Sequence, residues 1–171
     1  AGEIAKADEL LTKALAISPN DAETQYFLGL IRYAQNRNED ALIALRKATL
    51  IDPAYADAYK QTGETLLRLG KPAEAAIEFA KATQLKPASF DAWLGLGNAQ
   101  YEDEKWAEAV KAYKEAVRLK NNNAEAFENL ADAYRQIPDF QQAEANYKLA
   151  ALFIERTPDY NREQAADIYS K

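Results

Sequence analysis

The sequence predicts an all-α fold, a solenoid of antiparallel helix pairs repeating every 34 residues. Three observations carry this reading. Proline falls at Pro19, Pro53 and Pro87, and Asn121 holds the next slot. Two columns are alanine throughout: Ala7, Ala41, Ala75, Ala109, Ala143 and Ala14, Ala48, Ala82, Ala116, Ala150. Between them runs a large apolar column of Leu11, Leu45, Phe79, Tyr113 and Tyr147. A fixed period of about 20 to 50 residues marks a stacked repeat, in which each unit buries its apolar face only against its neighbours.

Taken in chain order, residues 1–21 supply only the second helix of a truncated repeat. Its apolar face is Ile4, Ala7, Leu10, Leu11, Ala14 and Leu15. Full units follow at 22–55, 56–89, 90–123 and 124–157. The second is the clearest. Ala58, Tyr59, Thr62, Gly63, Leu66 and Leu69 recur at helical spacing over Ala56 to Leu69. Gly70-Lys71-Pro72 then breaks the chain, with glycine suited to the left-handed residue past a helix end and proline to the next first turn. A second helix runs from about Ala73 to Leu85, and Lys86-Pro87 ends it. In the first unit Asn36 and Asn38 replace that Gly-Pro pair, asparagine being able both to adopt positive φ and to cap a helix. The third turn is Glu102-Asp103-Glu104-Lys105-Trp106 and the fourth Ile137-Pro138-Asp139-Phe140. Residues 158–171, opened by Pro158-Asp159, read as a capping helix or the first helix of a fifth repeat. The expected total is about ten helices and no strand.

Composition narrows the function. Of 171 residues 48% are apolar and 28% charged, which suits a packed core, and the formal charge is −6. No basic stripe is present, so nucleic acid is not an expected partner. No apolar run approaches the roughly 18 residues of a membrane span. Cysteine, histidine and methionine are absent. Disulfides, thiol chemistry, most zinc sites and the commonest general base go with them, so neither a metal nor a cofactor is expected. Leu94-Gly95-Leu96-Gly97-Asn98 lacks the third glycine of a dinucleotide site, and Gly70-Lys71-Pro72 lacks the hydroxyl residue of a phosphate loop. Missing methionine and the start partway through a repeat suggest a fragment of a longer protein. The compartment stays open, with the cytoplasm as the expectation.

These columns resemble the tetratricopeptide repeat (TPR) family. The third unit matches its pattern best with Trp93, Leu96-Gly97, Ala109, Tyr113 and Ala116; the fourth has Phe127, Leu130-Ala131, Tyr134, Ala143, Tyr147 and Ala150. Departures are Gln25 for the opening aromatic, Arg32 and Gln100 for the tyrosine, Thr62 for the leucine and Glu155 for the last proline. Gly29, Gly63, Gly97 and Ala131 occupy the column where the two helices of a repeat approach closely. The resemblance implies a right-handed superhelix whose concave groove is lined by the first helix of each repeat. It also implies a non-enzymatic module that binds a peptide or helix there.

On that implication each unit offers four groove residues. They are Tyr26, Phe27, Leu30 and Tyr33; Lys60, Gln61, Glu64 and Arg68; Leu94, Gly95, Asn98 and Tyr101; Glu128, Asn129, Asp132 and Arg135. The groove is then aromatic at one end, mixed in the middle and mostly acidic at the other. Tyr26, Leu30 and Tyr33 read either as an anchor site or as packing on the incomplete first repeat. Gly95 reads either as room for a ligand backbone, with Asn98 and Asn129 pairing to peptide amides, or as a tolerated surface glycine. Some TPR proteins clamp a C-terminal carboxylate. Lys60 and Asn98 would suit that, but Glu64, Leu94 and Gly95 stand where the clamp needs polar or basic groups, and Glu128 and Asp132 would repel an anion. The expected partner is a protein or peptide with apolar and basic groups. Two other readings stay open: a scaffold segment that self-associates through the exposed first helix (Ile4, Leu11, Leu15), or the recognition arm of a larger enzyme such as a kinase or glycosyltransferase. The acidic column Glu23, Asp57, Asp91, Glu125 suits helix N-terminal dipoles, and Glu102-Asp103-Glu104 reads as a solvated turn.

Overall fold

The computed structural model describes residues 2–155 and Ile168, with residues 2–4 described in backbone only. Among them it is all-helical: α1 (Gly2–Ile17), α2 (Ala22–Ala34), α3 (Asn38–Ile51), α4 (Ala56–Arg68), α5 (Pro72–Leu85), α6 (Phe90–Glu102), α7 (Trp106–Leu119), α8 (Ala124–Gln136) and α9 (Phe140–Glu155). The helices form sequential antiparallel pairs. The expected last helix at 158–171 lies, Ile168 apart, outside the described residues.

The chain divides into two compact units, Ala1–Pro87 and Ala88–Lys171. In the first, α2 packs on α3 and α4 on α5, with α1 laid on α2, α3 on α4, and α2 touching α4. In the second, α6 packs on α7, α8 on α9, α7 on α8, and α6 touches α8. In each unit, therefore, the first helices of successive pairs lie side by side and form the face expected to be the inner one.

The helix pairs close on the periodic columns. A Cβ added to Gly29 would stand 2.6 Å from Leu45 Cγ, one on Gly63 2.8 Å from the Phe79 ring, and one on Gly97 2.4 Å from the Tyr113 ring. No real Cβ sits that near, so the glycine column is a contact surface for the large apolar column. Leu45 and Phe79 are fully buried, as are Ala41, Ala48, Ala75, Ala109 and Ala116. Burying a side chain such as Phe79 contributes about 1.5–3 kcal/mol.

Helix ends follow residue chemistry. Asp21, Ser89 and Asn123 fall on one 34-residue column, whose remaining slot is Tyr55, and each caps the following helix. Ser89 Oγ accepts from Ala92 N–H at 3.3 Å and Asn123 Oδ1 from Ala126 N–H at 2.8 Å. Asp21 Oδ1 accepts from Glu23 N–H at 3.3 Å. Glu23, Asp57, Asp91 and Glu125 fall in first turns, as the dipole argument expects. Gly70 is left-handed at φ 67°, and Asn36 and Glu104 hold the same slot at φ 59°. Asn38 differs from its expected capping role. Arg37 is the cap residue of α3, and Asn38 lies inside the first turn with its Oδ1 buried and unpartnered among the described residues.

The departures from the repeat pattern have local partners. Arg32 replaces a tyrosine and donates through Nε to Asp8 of α1 at 3.4 Å, while Arg37 Nη1 reaches the same carboxylate at 2.5 Å. Thr62 replaces a leucine and returns its hydroxyl to Ala58 C=O at 2.8 Å, which satisfies a fully buried polar group within its own helix.

Candidate ligand-binding faces

The inner face of the first unit is built from α2 and α4. Tyr26 is half-buried, with its ring 5.0 Å from Tyr55 and 5.6 Å from Phe27. Phe27 is 44% exposed, and Leu30 lies half-buried one turn along. Tyr33 is covered from α4: the Arg68 guanidinium stands 3.6 Å above its ring, and Arg68 Nη1 donates to Tyr33 C=O at 3.3 Å. Burial raises the Tyr33 phenol pKa, while Arg68 pulls it down. Burial likewise raises Tyr26, helped by Asp57. Lys60 and Glu64 pair along α4 at 3.7 Å. Gln61 departs from its expected exposure. It is buried, and its amide nitrogen meets no acceptor among the described residues. The aromatic groups of this face are thus covered by their own neighbours, with Phe27 the most open.

The second unit's inner face is built from α6 and α8, and it is organised around one amide. Asn98 Oδ1 accepts from Tyr113 O–H at 2.8 Å and from Asn129 Nδ2–H at 3.2 Å. Tyr113 comes from α7 behind the face, where burial raises its pKa strongly, with Tyr101 and Asp132 adding to the shift. It therefore stays a neutral donor, and this fixes the Asn98 amide with its oxygen inward. Asn98 Nδ2 and Asn129 Oδ1 remain as a donor and an acceptor on neighbouring helices, neither engaged among the described residues. Leu94 is half-buried on α6 and packs against both core clusters of the unit, one holding Val110, Tyr113 and Leu130 and the other Phe90, Ala116 and Ala126. Gly95 is half-buried on the same helix.

The far side of this face is less acidic than its composition suggests. Asp132 accepts from Tyr147 O–H of α9 and pairs with Arg135 at 3.8 Å. Burial raises the Tyr147 pKa strongly, and the Asp132 hydrogen bond adds to this. Gln136 Nε2 donates to Tyr101 O–H at 3.1 Å, tying α8 to α6. Glu128 is half-buried on α8.

Sequence reasoning placed Leu94, Gly95, Asn98 and Tyr101 on one helix and Glu128, Asn129, Asp132 and Arg135 on its neighbour, and the structure brings Asn98 and Asn129 into direct contact. It missed Tyr113 and Tyr147 as members of these networks. Their columns read as core, and only the hydroxyl that distinguishes them from Phe79 signalled a second role. Of the N-terminal helix, Leu10 is 56% exposed, Leu11 and Leu15 are half-buried, and the Ile4 side chain lies outside the described residues. No described helix is long and apolar enough to cross a membrane.

Comparison with known proteins addresses the fold. A family model described as tetratricopeptide repeat matches residues 60–124 and 94–161, and one described as TPR repeat matches 29–70. A crystal structure of MamA is 24% identical, with 91% of each chain covered and a TM-score of 0.87. MamA from Desulfovibrio magneticus RS-1 is 22% identical over 92% of this chain and 89% of its own, at a TM-score of 0.85. YrrB, described as a TPR protein with an unusual peptide-binding site, is 19% identical over 99% and 85%, also at 0.85. At these identities the likeness is one of fold. No curated protein matches the sequence. Because the family match extends over more than half of the residues, and the glycine, alanine and aromatic columns pack as that repeat requires, this chain belongs to the tetratricopeptide repeat family.

Proposed function

We propose that this chain is a non-enzymatic protein-interaction module that seats a peptide or helical segment of a partner on the α6–α8 face. The observation that carries the reading is the Asn98 hub. Its inward oxygen is held by two donors, so the outward Nδ2–H is preorganised, with the Asn129 oxygen on the neighbouring helix. A main-chain amide offers one acceptor and one donor, and this pair matches it. Preorganised polar groups bind without the cost of being ordered at the moment of contact. Leu94 beside them supplies apolar contact, and Gly95 removes a side chain where a ligand backbone would approach. YrrB's described peptide-binding site is in keeping with such a use of this fold. Apolar anchors lead in the expected ligand. Asp132 is engaged by Tyr147 and Arg135, so a basic group is a secondary feature.

The test is a selection of peptides from a display library on the native chain, followed by Asn98→Asp. That variant keeps the inward acceptor, replaces the outward donor by an acceptor and adds a negative charge. Selected peptides should bind the variant about tenfold more weakly, the worth of one good polar contact. Unchanged affinity would remove Asn98 from the site.

A second reading has its own observation. The exposed Leu10 and half-buried Leu11 and Leu15 of α1 would support self-association through that helix. Sedimentation of Leu10→Asp beside the native chain tests it, and a native chain that stays monomeric at high concentration sinks it.

A further inference from the structure

The outer side of the first unit carries a cleft that the inner-face reading does not use. Its volume is about 530 Å³, within the range of about 300–1,000 Å³ usual for ligand clefts. One wall is the C-terminal half of α1 with Leu15, the floor is Leu28 and Arg32 of α2, and the other wall is Ile43, Lys47 and Leu50 of α3. Ile43 is 55% exposed and Leu50 81%, and Ile17 at the end of α1 is 87% exposed. Such a concentration of large aliphatic side chains on an outer face is a docking feature rather than the scattered exposure of an ordinary surface.

The charges around the cleft select the occupant. No carboxylate lines it among the described residues, although the chain as a whole is acidic. Arg32 is held by Asp8, Arg46 by Glu74 and Lys13 by Glu9. Lys47, set between Ile43 and Leu50 on one helical face, has no ion-pair partner among the described residues. Lys81 repeats it 34 residues on in α5, the α1 slot being the Glu9-paired Lys13, and Ile77 repeats Ile43 with 70% exposure. The surface is an apolar stripe with a lysine edge. In the second unit α7 holds Lys111 and Arg118 in the aliphatic slots and Glu115 in the lysine slot, while α9 holds Ala145, Leu149 and Leu152.

We propose that this cleft docks an acidic amphipathic helix of a partner protein, with its leucine-like residues between α1 and α3 and a carboxylate on Lys47. A helix fits because the cleft runs between two helices, where the ridges of a third seat in the grooves. The acidic edge follows from the lysine column, and like charge would exclude a basic helix.

The experiment uses the native chain and two designed peptides of about five helical turns. They share an aliphatic stripe and differ only in carrying glutamate or lysine along its flank. Fluorescence anisotropy should show saturable binding of the glutamate peptide and much weaker binding of the lysine peptide. Lys47→Glu should weaken the first roughly five- to tenfold and strengthen the second. Ile43→Asp should abolish binding of the glutamate peptide while its thermal unfolding matches the native chain, because the side chain is already solvent-facing. Asn98→Asp should leave this binding unchanged, which separates the cleft from the α6–α8 face. Failure of the glutamate peptide to saturate, equal affinity for both peptides, or insensitivity to Lys47→Glu would overturn the proposal. So would dimerisation of the native chain that Ile43→Asp abolishes, since the face would then belong to a second copy.

Discussion

The two units share their packing columns and differ on both of their faces. In the first, Gly29 against Leu45 and Gly63 against Phe79 close the helix pairs; in the second, Gly97 meets Tyr113 and Ala131 takes the equivalent slot. On the inner side the first unit covers its aromatic rings with Arg68 and Tyr55, whereas the second leaves an amide donor and acceptor open at Asn98 and Asn129. On the outer side the first exposes Ile43, Leu50 and Ile77, whereas α7 of the second carries Lys111 and Arg118 in the slots of Ile43 and Leu50. The difference teaches that the 34-residue period constrains only what each helix pair must bury. Solvent-facing slots are free to diverge, and a repeat array places its recognition there.

The shared columns can be broken first. Phe79→Ala removes a fully buried ring and should destabilise the chain by about 3–5 kcal/mol, read from denaturant unfolding. A loss under about 1 kcal/mol would mean the column does not carry the core. Gly97→Ala forces a methyl into the Tyr113 ring and should cost about 1–3 kcal/mol. The reverse change, Ala131→Gly, should cost only the propensity difference of about 1 kcal/mol. If Gly97→Ala proved neutral, the Tyr113 ring would be shown to give way to the added methyl.

Tyr147→Phe sharpens the contrast between hydroxyl and ring. It deletes the hydrogen bond to Asp132 and should cost about 1–2 kcal/mol at neutral pH. The phenol pKa is raised in the folded chain, so it is protonated in both states below the ordinary value of 10.0. Above that value the unfolded chain releases the proton first. Stability should therefore hold up to about pH 10 and fall as pH rises further. Tyr147→Phe should flatten that fall, as measured by thermal unfolding across an alkaline series.

Much of the fold was legible before any coordinates. The antiparallel helix pairs follow from the apolar phase, and the glycine column announced a close approach that the Leu45, Phe79 and Tyr113 contacts explain. What was not legible depends on partners far apart in sequence. Arg32 looks like an unexplained loss of a tyrosine until Asp8 of another helix is placed beside it. Gln61 looks exposed by phase but is buried by its neighbours. Asp132 looks like a free acid until Tyr147 and Arg135 engage it. Asn98 and Asn129 were legible as candidates, but the direction of the Asn98 amide is set by the Tyr113 hydroxyl, which helical periodicity cannot supply.

The smallest effect concerns the turns. Gly70 and Glu104 share a left-handed slot that glycine adopts without strain, so Glu104→Gly should stabilise the second unit by about 1 kcal/mol or less. A fall in melting temperature would show that the Glu104 side chain offsets its backbone strain.

The central claim is that the α6–α8 face binds through the open amide pair. The most direct measurement is NMR of the side-chain amides of Asn98 and Asn129, assigned with Asn98→Asp, during titration with a display-selected peptide. The account predicts that the Asn98 Nδ2–H resonances shift with the peptide's binding curve while the Arg68 side-chain resonances stay in place. Saturable binding that leaves Asn98 unmoved, with shifts confined to another face, would contradict it.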